Sequence, residues 1–330
     1  MTDVRGDATA PPDRTAVTGR RRKGRRGERA MVPDATFTSY YGKPVLNKPT
    51  WQARDVASYL FLGGLAGASS VLAAGAQLTG RDTLARGCRT GALVAISGSL
   101  YALVHDLGRP ARFLNMLRVV KPTSPMSIGS WLLMAYGPVV GAAAVSDLTG
   151  WLPRAGRAAT LGAAVIGPAV AAYTAPLVAN TAVPTWHEGH RELPFVFVGS
   201  AAAAAGGLGM LVAPVTQAGP ARRAAVFGAA LEVAAVKKME RGMGLAAEPL
   251  RTGSPGRLMK AAEVLTVTGA VLGGVFGSRS RLAAALGGLA ALAGSACTRF
   301  GIFHAGVASA ADPKYTVQPQ RERLDRAEER

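Results

Sequence analysis

Long apolar runs recur along the chain, separated by short stretches that carry charge, proline or glycine. An apolar run of about 20 residues is long enough to cross the hydrocarbon core of a bilayer as an α-helix. A helix also satisfies the backbone hydrogen bonds of such a segment without water. The pattern predicts membrane-spanning helices near residues 57–79, 87–105, 128–146, 158–180, 194–214, 258–277 and 282–305.

An eighth apolar segment, near 221–237, is short and contains Glu232. With it, the predicted fold is an all-α polytopic membrane bundle of about eight transmembrane helices. The composition agrees, since the chain is 49% hydrophobic and only 18% charged, whereas a soluble protein is about one quarter charged. The glycine-rich run GGLAGAS at 63–69 lies inside an apolar helix, so we interpret it as a helix-packing surface and not as a phosphate-binding loop.

Both ends of the chain are polar. Residues 1–38 contain the basic run GRRRKGRRGER and are predicted to form a disordered tail. The stretch after this run is polar and interrupted by proline, so the arginines are interpreted as part of a retained tail and not as an export signal. Residues 39–308 form the predicted transmembrane domain, and residues 309–330 form a polar C-terminal tail.

The distribution of positive charge predicts the orientation, because basic loops mark the cytoplasmic side. The N-terminal arm and the loops at 106–127 and 237–260 carry more Lys and Arg than the loops near 81–89, 147–157 and 279–281. Eight spans therefore place both termini in the cytoplasm of a multi-pass cell-membrane protein. Seven spans would leave the C-terminal tail outside.

The segment HDLGRPARFLNMLRVVKPTSPMSIGSW, at 105–131, joins two of the predicted spans. Its apolar side chains recur at helical spacing between Phe113 and Val120, which predicts a short amphipathic helix lying on the membrane surface after the second span. Cationic side chains in such a loop would contact lipid phosphates or a partner protein. The cations are Arg109, Arg112, Arg118 and Lys121.

His105 and Asp106 stand side by side where the second span ends. A carboxylate beside an imidazole at the lipid boundary can relay protons. The same carboxylate could instead form a structural ion pair with Arg109 or Arg112. The sequence leaves both interpretations open.

Few other residues have side chains that could transfer protons or bind a metal or cofactor. Glu232, Glu263 and His304 lie in or near the predicted spans, where ionisable groups are costly and commonly functional, so they form a candidate proton path. The four histidines supply no pair on facing helices, and Cys88 and Cys297 have no CxxC partner. The sequence therefore predicts no haem, no iron–sulfur cluster and no metal site in this chain, and no nucleic-acid partner is expected.

The 105–131 segment, written as H-D-L-G-R-P-x-R-F-x-N-M-L-R-V-x-K-P-T-S-P-M-S-x-G-S-W, resembles the NrfD/PsrC family of polysulfide reductase-type membrane subunits. Looser likeness extends over about residues 39–321. It is carried by SYYGKPVLNKPTW and YLFLGGLAGAS around the first span, by YTAPLVANTAVPTWHEGHRELPFVF at 173–197, and by RFGIFHAGVASAADPKYTVQPQR near the C-terminus.

The resemblance implies two four-helix bundles without haem and a bound quinone or menaquinone. In that family, a four-cluster iron–sulfur subunit docks beside the quinone and connects to a molybdopterin catalytic subunit. Electrons would then pass between the quinone pool and the clusters of that partner, and whether this chain is an enzyme by itself is left open. The alternatives are a passive membrane anchor without quinone chemistry and a proton or solute transporter.

The family's functional residues can be carried over one by one. Tyr173 matches the quinone-contacting tyrosine of the fourth span, and His105 with Asp106 match an acid–histidine pair. The histidine that some members carry in the first span is missing here. Further candidates for the quinone pocket, including substitutes for this histidine, are Gln52, Asp55, Tyr59 and Trp131.

Overall fold

The computed structural model describes residues 44–47 and 49–328, so the predicted tail at 1–38 lies outside the described residues. Every regular element of the described chain is helical. The α-helices are α1 (Ala53–Leu78), α2 (Asp82–Asp106), α3 (Arg112–Met116), α4 (Pro125–Thr149), α5 (Pro153–Ala179), α6 (Pro184–Glu188), α7 (Leu193–Val212), α8 (Gly219–Gly242), α9 (Glu248–Arg251), α10 (Gly253–Gly269), α11 (Arg281–Ala311) and α12 (Lys314–Glu328).

Seven helices of the described chain are long and apolar enough to cross a membrane. They are α1, α2, α4, α5, α7, α10 with its π-helical and 3-10 continuation to Ser278, and α11. These helices confirm the predicted all-α polytopic membrane bundle. The 24 residues of α8 correspond to about 36 Å, also enough to cross a bilayer, but this helix is more polar than the other seven.

The chain divides into two compact units. The larger, Pro49–Ser309, holds α1 to α10 and most of α11. The described part of the smaller comprises residues 44–47 and 310–328, with α12. In α12, charged atoms of Glu322 and Arg326 are 3.9 Å apart, one helical turn from each other. Most of the predicted polar C-terminal tail is therefore a charged helix.

One face of the larger unit carries its long connections. Asp55, near the start of α1, contacts His105, at the end of α2. Between α5 and α7, the Thr185 hydroxyl donates to the carbonyl of Ala246, which follows α8, at 2.9 Å. These contacts bring the start of α1 and three connections to one side, here called the long-loop face. The three connections are 107–124, 180–192 and 243–252.

The opposite face carries the short connections. There the backbone N–H of Thr83 donates to the side-chain oxygen of Gln217 at 3.0 Å, which ties the start of α2 to the turn before α8. The Arg281 guanidinium donates to the carbonyl of Ala213 at 2.9 Å, which ties the start of α11 to the end of α7. Consecutive long helices therefore alternate in direction between the two faces.

Small residues let the long helices approach closely. A Cβ atom at Gly67 of α1 would lie 2.3 Å from the carbonyl oxygen of Gly167 in α5. A Cβ atom at Gly228 of α8 would lie 2.3 Å from the backbone nitrogen of Ala203 in α7. Such contact of backbones is typical of helix packing in membranes. It confirms the interpretation of the run at 63–69 as a helix-packing surface.

We expect Gly67→Ala to lower the unfolding temperature of the solubilised protein, because the new methyl group overlaps the backbone of α5. Gly75, in the same helix, has open space at its Cβ position and supplies the matched control. Alanine is the better helix former by about 1 kcal/mol, so Gly75→Ala should leave the unfolding temperature unchanged or raise it. Equal unfolding temperatures for the two variants would contradict the close packing of α1 on α5.

Candidate functional site

An acid–histidine pair joins α1 to α2 at the long-loop face. The Nδ1 atom of His105 lies 3.0 Å from a carboxylate oxygen of Asp55. The Asp55 side chain is 8% exposed and that of His105 is 57% exposed, so the carboxylate is inside and the imidazole faces outward. The ring of Tyr101 stacks on the imidazole with centroids 5.9 Å apart. The His105 imidazole is thus held by the contact at its Nδ1 atom and by stacking on one face of its ring.

The side chain of Asp106 does not bond to that of His105, although the two residues are adjacent in the sequence. The half-exposed carboxyl group of Asp106 faces the backbone of Gln52. It interacts electrostatically with Asp55 and His105 but forms no hydrogen bond with the imidazole. The ion pair with Arg109 or Arg112 is not formed in the described chain, and Arg112 instead donates to the carbonyl of Leu107 at 3.2 Å. The acid that contacts His105 is therefore Asp55.

Two buried phenols lie next to this pair. Tyr59 follows Asp55 by one helical turn, which places both on one side of α1. The ring of Tyr59 meets the ring of Tyr173 edge to face, with centroids 6.5 Å apart, an arrangement that aromatic pairs favour. The hydroxyl of Tyr173 is buried and has no hydrogen-bond partner among the described residues. Buried tyrosine hydroxyls normally have a partner, so the Tyr173 hydroxyl is free to donate to a bound molecule or to water.

Gly129 fixes the position of the Tyr173 ring. A Cβ atom at Gly129 of α4 would lie 2.3 Å from Cε2 of Tyr173, so the ring packs directly on the backbone of α4. On the other side, Tyr59 is held through its backbone carbonyl, which accepts a hydrogen bond from the Ser99 hydroxyl at 3.1 Å. Gly129 and Ser99 are site residues that the sequence analysis missed.

Gln52 and Trp131 lie farther from the phenols. Gln52 is exposed, and its backbone carbonyl accepts the first hydrogen bonds of α1, from Asp55 and Val56. Trp131 is 38% exposed, and its indole N–H donates to the carbonyl of Val119 at 3.4 Å. These contacts give Gln52 a role in starting α1 and Trp131 a role in holding the 107–124 connection.

The 107–124 connection presents its cations outward. The predicted amphipathic helix is shorter than expected: α3 has only 5 residues, and none of them is buried. Ser127 secures the end of the connection, because its hydroxyl donates to Val119 at 3.1 Å and accepts from the Lys121 backbone N–H at 3.0 Å. All four predicted contact residues are exposed: Arg109, Arg112, Arg118 and Lys121.

The remaining candidates lie in the second half of the larger unit. Glu232 is buried in α8 and accepts a hydrogen bond from the hydroxyl of Thr298 in α11. Glu263 of α10 accepts one from Lys237 at 2.8 Å. His304 is half-buried in α11, with its ring against that of the adjacent phenylalanine. No hydrogen bond or ion pair among the described residues joins these three residues to the phenols or to the Asp55–His105 pair.

The described residues contain no group of three His, Cys, Asp or Glu side chains that could hold a metal ion. The site is built instead from one acid–histidine pair, two phenols and the helix backbones around them. This combination can hold a flat, apolar molecule with a polar rim and can exchange protons with it.

Comparison with known proteins places the chain in a family. The family described as "Polysulphide reductase, NrfD" matches residues 47–237, which is more than half of the chain and runs from the start of α1 into α8. No curated protein matches the chain. The family is one of integral membrane subunits of polysulfide reductase-type complexes, which generally work with iron–sulfur and molybdopterin subunits and interact with quinones. This chain, with its membrane-spanning helices, belongs to the NrfD family.

Proposed function

We propose that this chain binds a quinone or menaquinone headgroup between α1, α2, α4 and α5, near the long-loop face. It would pass electrons between the quinone pool and a partner iron–sulfur subunit. The observation that carries the proposal is the buried Tyr173 hydroxyl, which has no hydrogen-bond partner among residues 44–47 and 49–328. Leaving such a group unpaired costs about 1–3 kcal/mol. A quinone carbonyl that accepts its hydrogen bond would remove this cost.

The Asp55–His105 pair would donate protons to the quinone during reduction and accept them from the quinol during oxidation. Reduction of a quinone consumes two electrons and two protons, and oxidation of the quinol returns them. An imidazole is the side chain best suited to exchange protons near neutral pH. Asp55 holds the ring through Nδ1 and leaves Nε2 available to the substrate or to water. The exposed side of His105 connects this proton exchange to the surroundings of the long-loop face.

The partner subunits would dock on the same face. The four exposed cations of the 107–124 connection stand there, beside the end of α2, and positive side chains steer the association of an acidic partner. Electrons would reach the quinone from the iron–sulfur clusters of this partner, which in turn would connect to a molybdopterin catalytic subunit. The excess of basic residues favours a cytoplasmic location for this face.

Tyr173→Phe tests the proposal in the assembled complex, because it removes the hydroxyl and keeps the ring that packs on Gly129. We expect quinone-linked turnover in membranes to fall about tenfold, since one hydrogen bond contributes about 1–1.5 kcal/mol. Turnover of the catalytic subunit with a soluble dye should not change.

The matched control is Tyr136→Phe, because the Tyr136 hydroxyl already has a partner, Ser70, at 2.7 Å. This variant should keep its quinone-linked turnover. If the chain is only a passive anchor, both phenylalanine variants will behave like the unmodified complex, and the proposal fails.

A further inference from the structure

Two buried charged residues, Glu232 of α8 and Arg299 of α11, lie on helices other than the four that form the proposed quinone site. Glu232 of α8 is 3% exposed and Arg299 of α11 is 1% exposed, and the two side chains interact electrostatically. Thr266 of α10 donates to the Glu232 carboxylate at 3.5 Å, in addition to the bond from Thr298. Charged groups at this depth are costly and usually have a function.

Arg299 is only partly satisfied by its protein neighbours. Its Nη2 donates to the carbonyl of Phe197 at 2.8 Å, and its guanidinium lies 3.8 Å from the centre of that ring. Its Nε and Nη1 atoms have no hydrogen-bond partner among the described residues. Gly64 of α1 leaves room for the guanidinium, because a Cβ atom there would lie 3.3 Å from Nη2. The described protein groups therefore satisfy only part of the hydrogen-bonding capacity of Arg299.

A cavity of about 160 Å³ leads from Glu232 towards the long-loop face. That volume holds several water molecules. Glu232, Thr266 and Thr298 line its inner end, and charged residues line its outer part. Two ion pairs stand along that outer part: Lys237 with Glu263 at 2.8 Å and Arg251 with Glu240 at 3.1 Å.

The charges around Glu232 favour a proton over a metal cation as the species that reaches it. Arg299 supplies a fixed positive charge that repels a second cation, whereas a proton neutralises the carboxylate and is then shared with the threonine hydroxyls. The neighbouring face of α7 contributes the uncharged Ser200. The titratable or charged groups that face Glu232 or its cavity are Arg299, Lys237, Glu240, Arg251, Lys260 and Glu263.

We propose that water in this cavity carries protons between the long-loop face and Glu232, which is a proton-exchanging site independent of the proposed quinone site. In each exchange, one proton from water at the cavity mouth binds a carboxylate oxygen of Glu232 and leaves by the same route. Arg299 keeps its charge and holds the carboxylate in place. No electron moves at this site.

The first test asks whether water reaches Thr266 through the cavity. Single cysteines are introduced in the full-length protein after both native cysteines, Cys88 and Cys297, are replaced by alanine. Thr266 is 1% exposed but lines the cavity, whereas its neighbour Val267 is 44% exposed on the outer surface of the bundle, where lipid lies, and does not line it. We expect a charged, water-soluble thiol reagent to label Thr266→Cys about tenfold faster than Val267→Cys, because lipid excludes the reagent.

The side of labelling adds a second criterion. In sealed vesicles, the reagent should label Thr266→Cys when it is added on the side of the long-loop face. A Thr266→Cys variant that folds and is labelled no faster than Val267→Cys, or that is labelled only from the opposite side, would overturn the proposed route.

The second test asks whether Glu232 itself exchanges protons, and it does not depend on quinone turnover. Infrared difference spectra of the complex between low and high pH should contain a carboxylic-acid band that shifts in D₂O and disappears in Glu232→Gln. A spectrum without this band, or with a band that survives in Glu232→Gln, would overturn the assignment. Loss of the band on addition of Na⁺ at constant pH would show a cation site and also overturn it.

Discussion

Asp55→Asn is expected to lower quinone-linked turnover about 100-fold, because a positioned general acid or base contributes about 10²–10⁴-fold to a rate. The asparagine keeps the size of the side chain but cannot carry the charge that orients the His105 imidazole. Turnover with a soluble dye, which bypasses the quinone, should stay unchanged. The amount of complex in the membrane, measured in parallel, shows whether the variant assembles.

Asp106→Asn is the matched control for this prediction. The two aspartates flank the same histidine, but only Asp55 bonds to it, at 3.0 Å. We therefore expect Asp106→Asn to keep most of the quinone-linked turnover. The opposite ranking, with Asp106→Asn inactive and Asp55→Asn active, would return the acid–histidine role to the adjacent pair and contradict the geometry described for the site.

Gly129→Ala is expected to produce a loss of similar size without removing a titratable group. The new methyl group would lie 2.3 Å from Cε2 of Tyr173, so the ring and its hydroxyl must move. A displacement of about 1 Å in a positioned group can cost about 100-fold in rate. We expect the apparent affinity for quinone and the maximal quinone-linked rate both to fall, with the dye-linked rate unchanged.

Gly137→Ala supplies the control, because Gly137 lies in the same helix and has open space at its Cβ position. Quinone titrations of the two variants should therefore differ strongly. If Gly129→Ala and Gly137→Ala give the same titration curve, the position of the Tyr173 ring does not matter for quinone chemistry.

The helices were the most predictable part of the molecule. Seven predicted spans coincide with helices that can cross a membrane, because the length of an apolar run is set by the bilayer and needs no knowledge of neighbours. The segment at 221–237 was harder to assign. In the structure it belongs to α8, whose polar residues include the buried Glu232, so its apolarity alone is a weak signal.

The acid–histidine pair shows where prediction from sequence fails. His105 and Asp106 are adjacent, but neighbouring residues of an α-helix point about 100° apart, so the side chains diverge. From the sequence, Asp55 is only one of several residues that could replace the histidine missing from the first span. Its contact with His105 depends on the register between α1 and α2, which is set by packing and cannot be read from either segment alone.

In addition to Ser99, the residues Gly129 and Arg299 were missed in the sequence analysis, for different reasons. Gly129 lies within the most specific motif of the chain, but its role depends on the approach of Tyr173 from another helix. Arg299 could have been identified from the sequence, because an arginine inside an apolar span is itself a candidate functional residue.

Photoaffinity labelling with a short-chain azidoquinone tests the central claim most directly, because it maps the bound headgroup on the protein. The account predicts saturable labelling, displaced by excess unmodified quinone, of peptides from α1, α4 and α5 that contain Tyr59, Gly129 and Tyr173. In the Asp55→Asn and Gly129→Ala variants, quinone-linked turnover should be low. Any labelling that these variants retain should still fall on the same peptides. Saturable labelling confined to α7–α11, or no displaceable labelling at all, would contradict it.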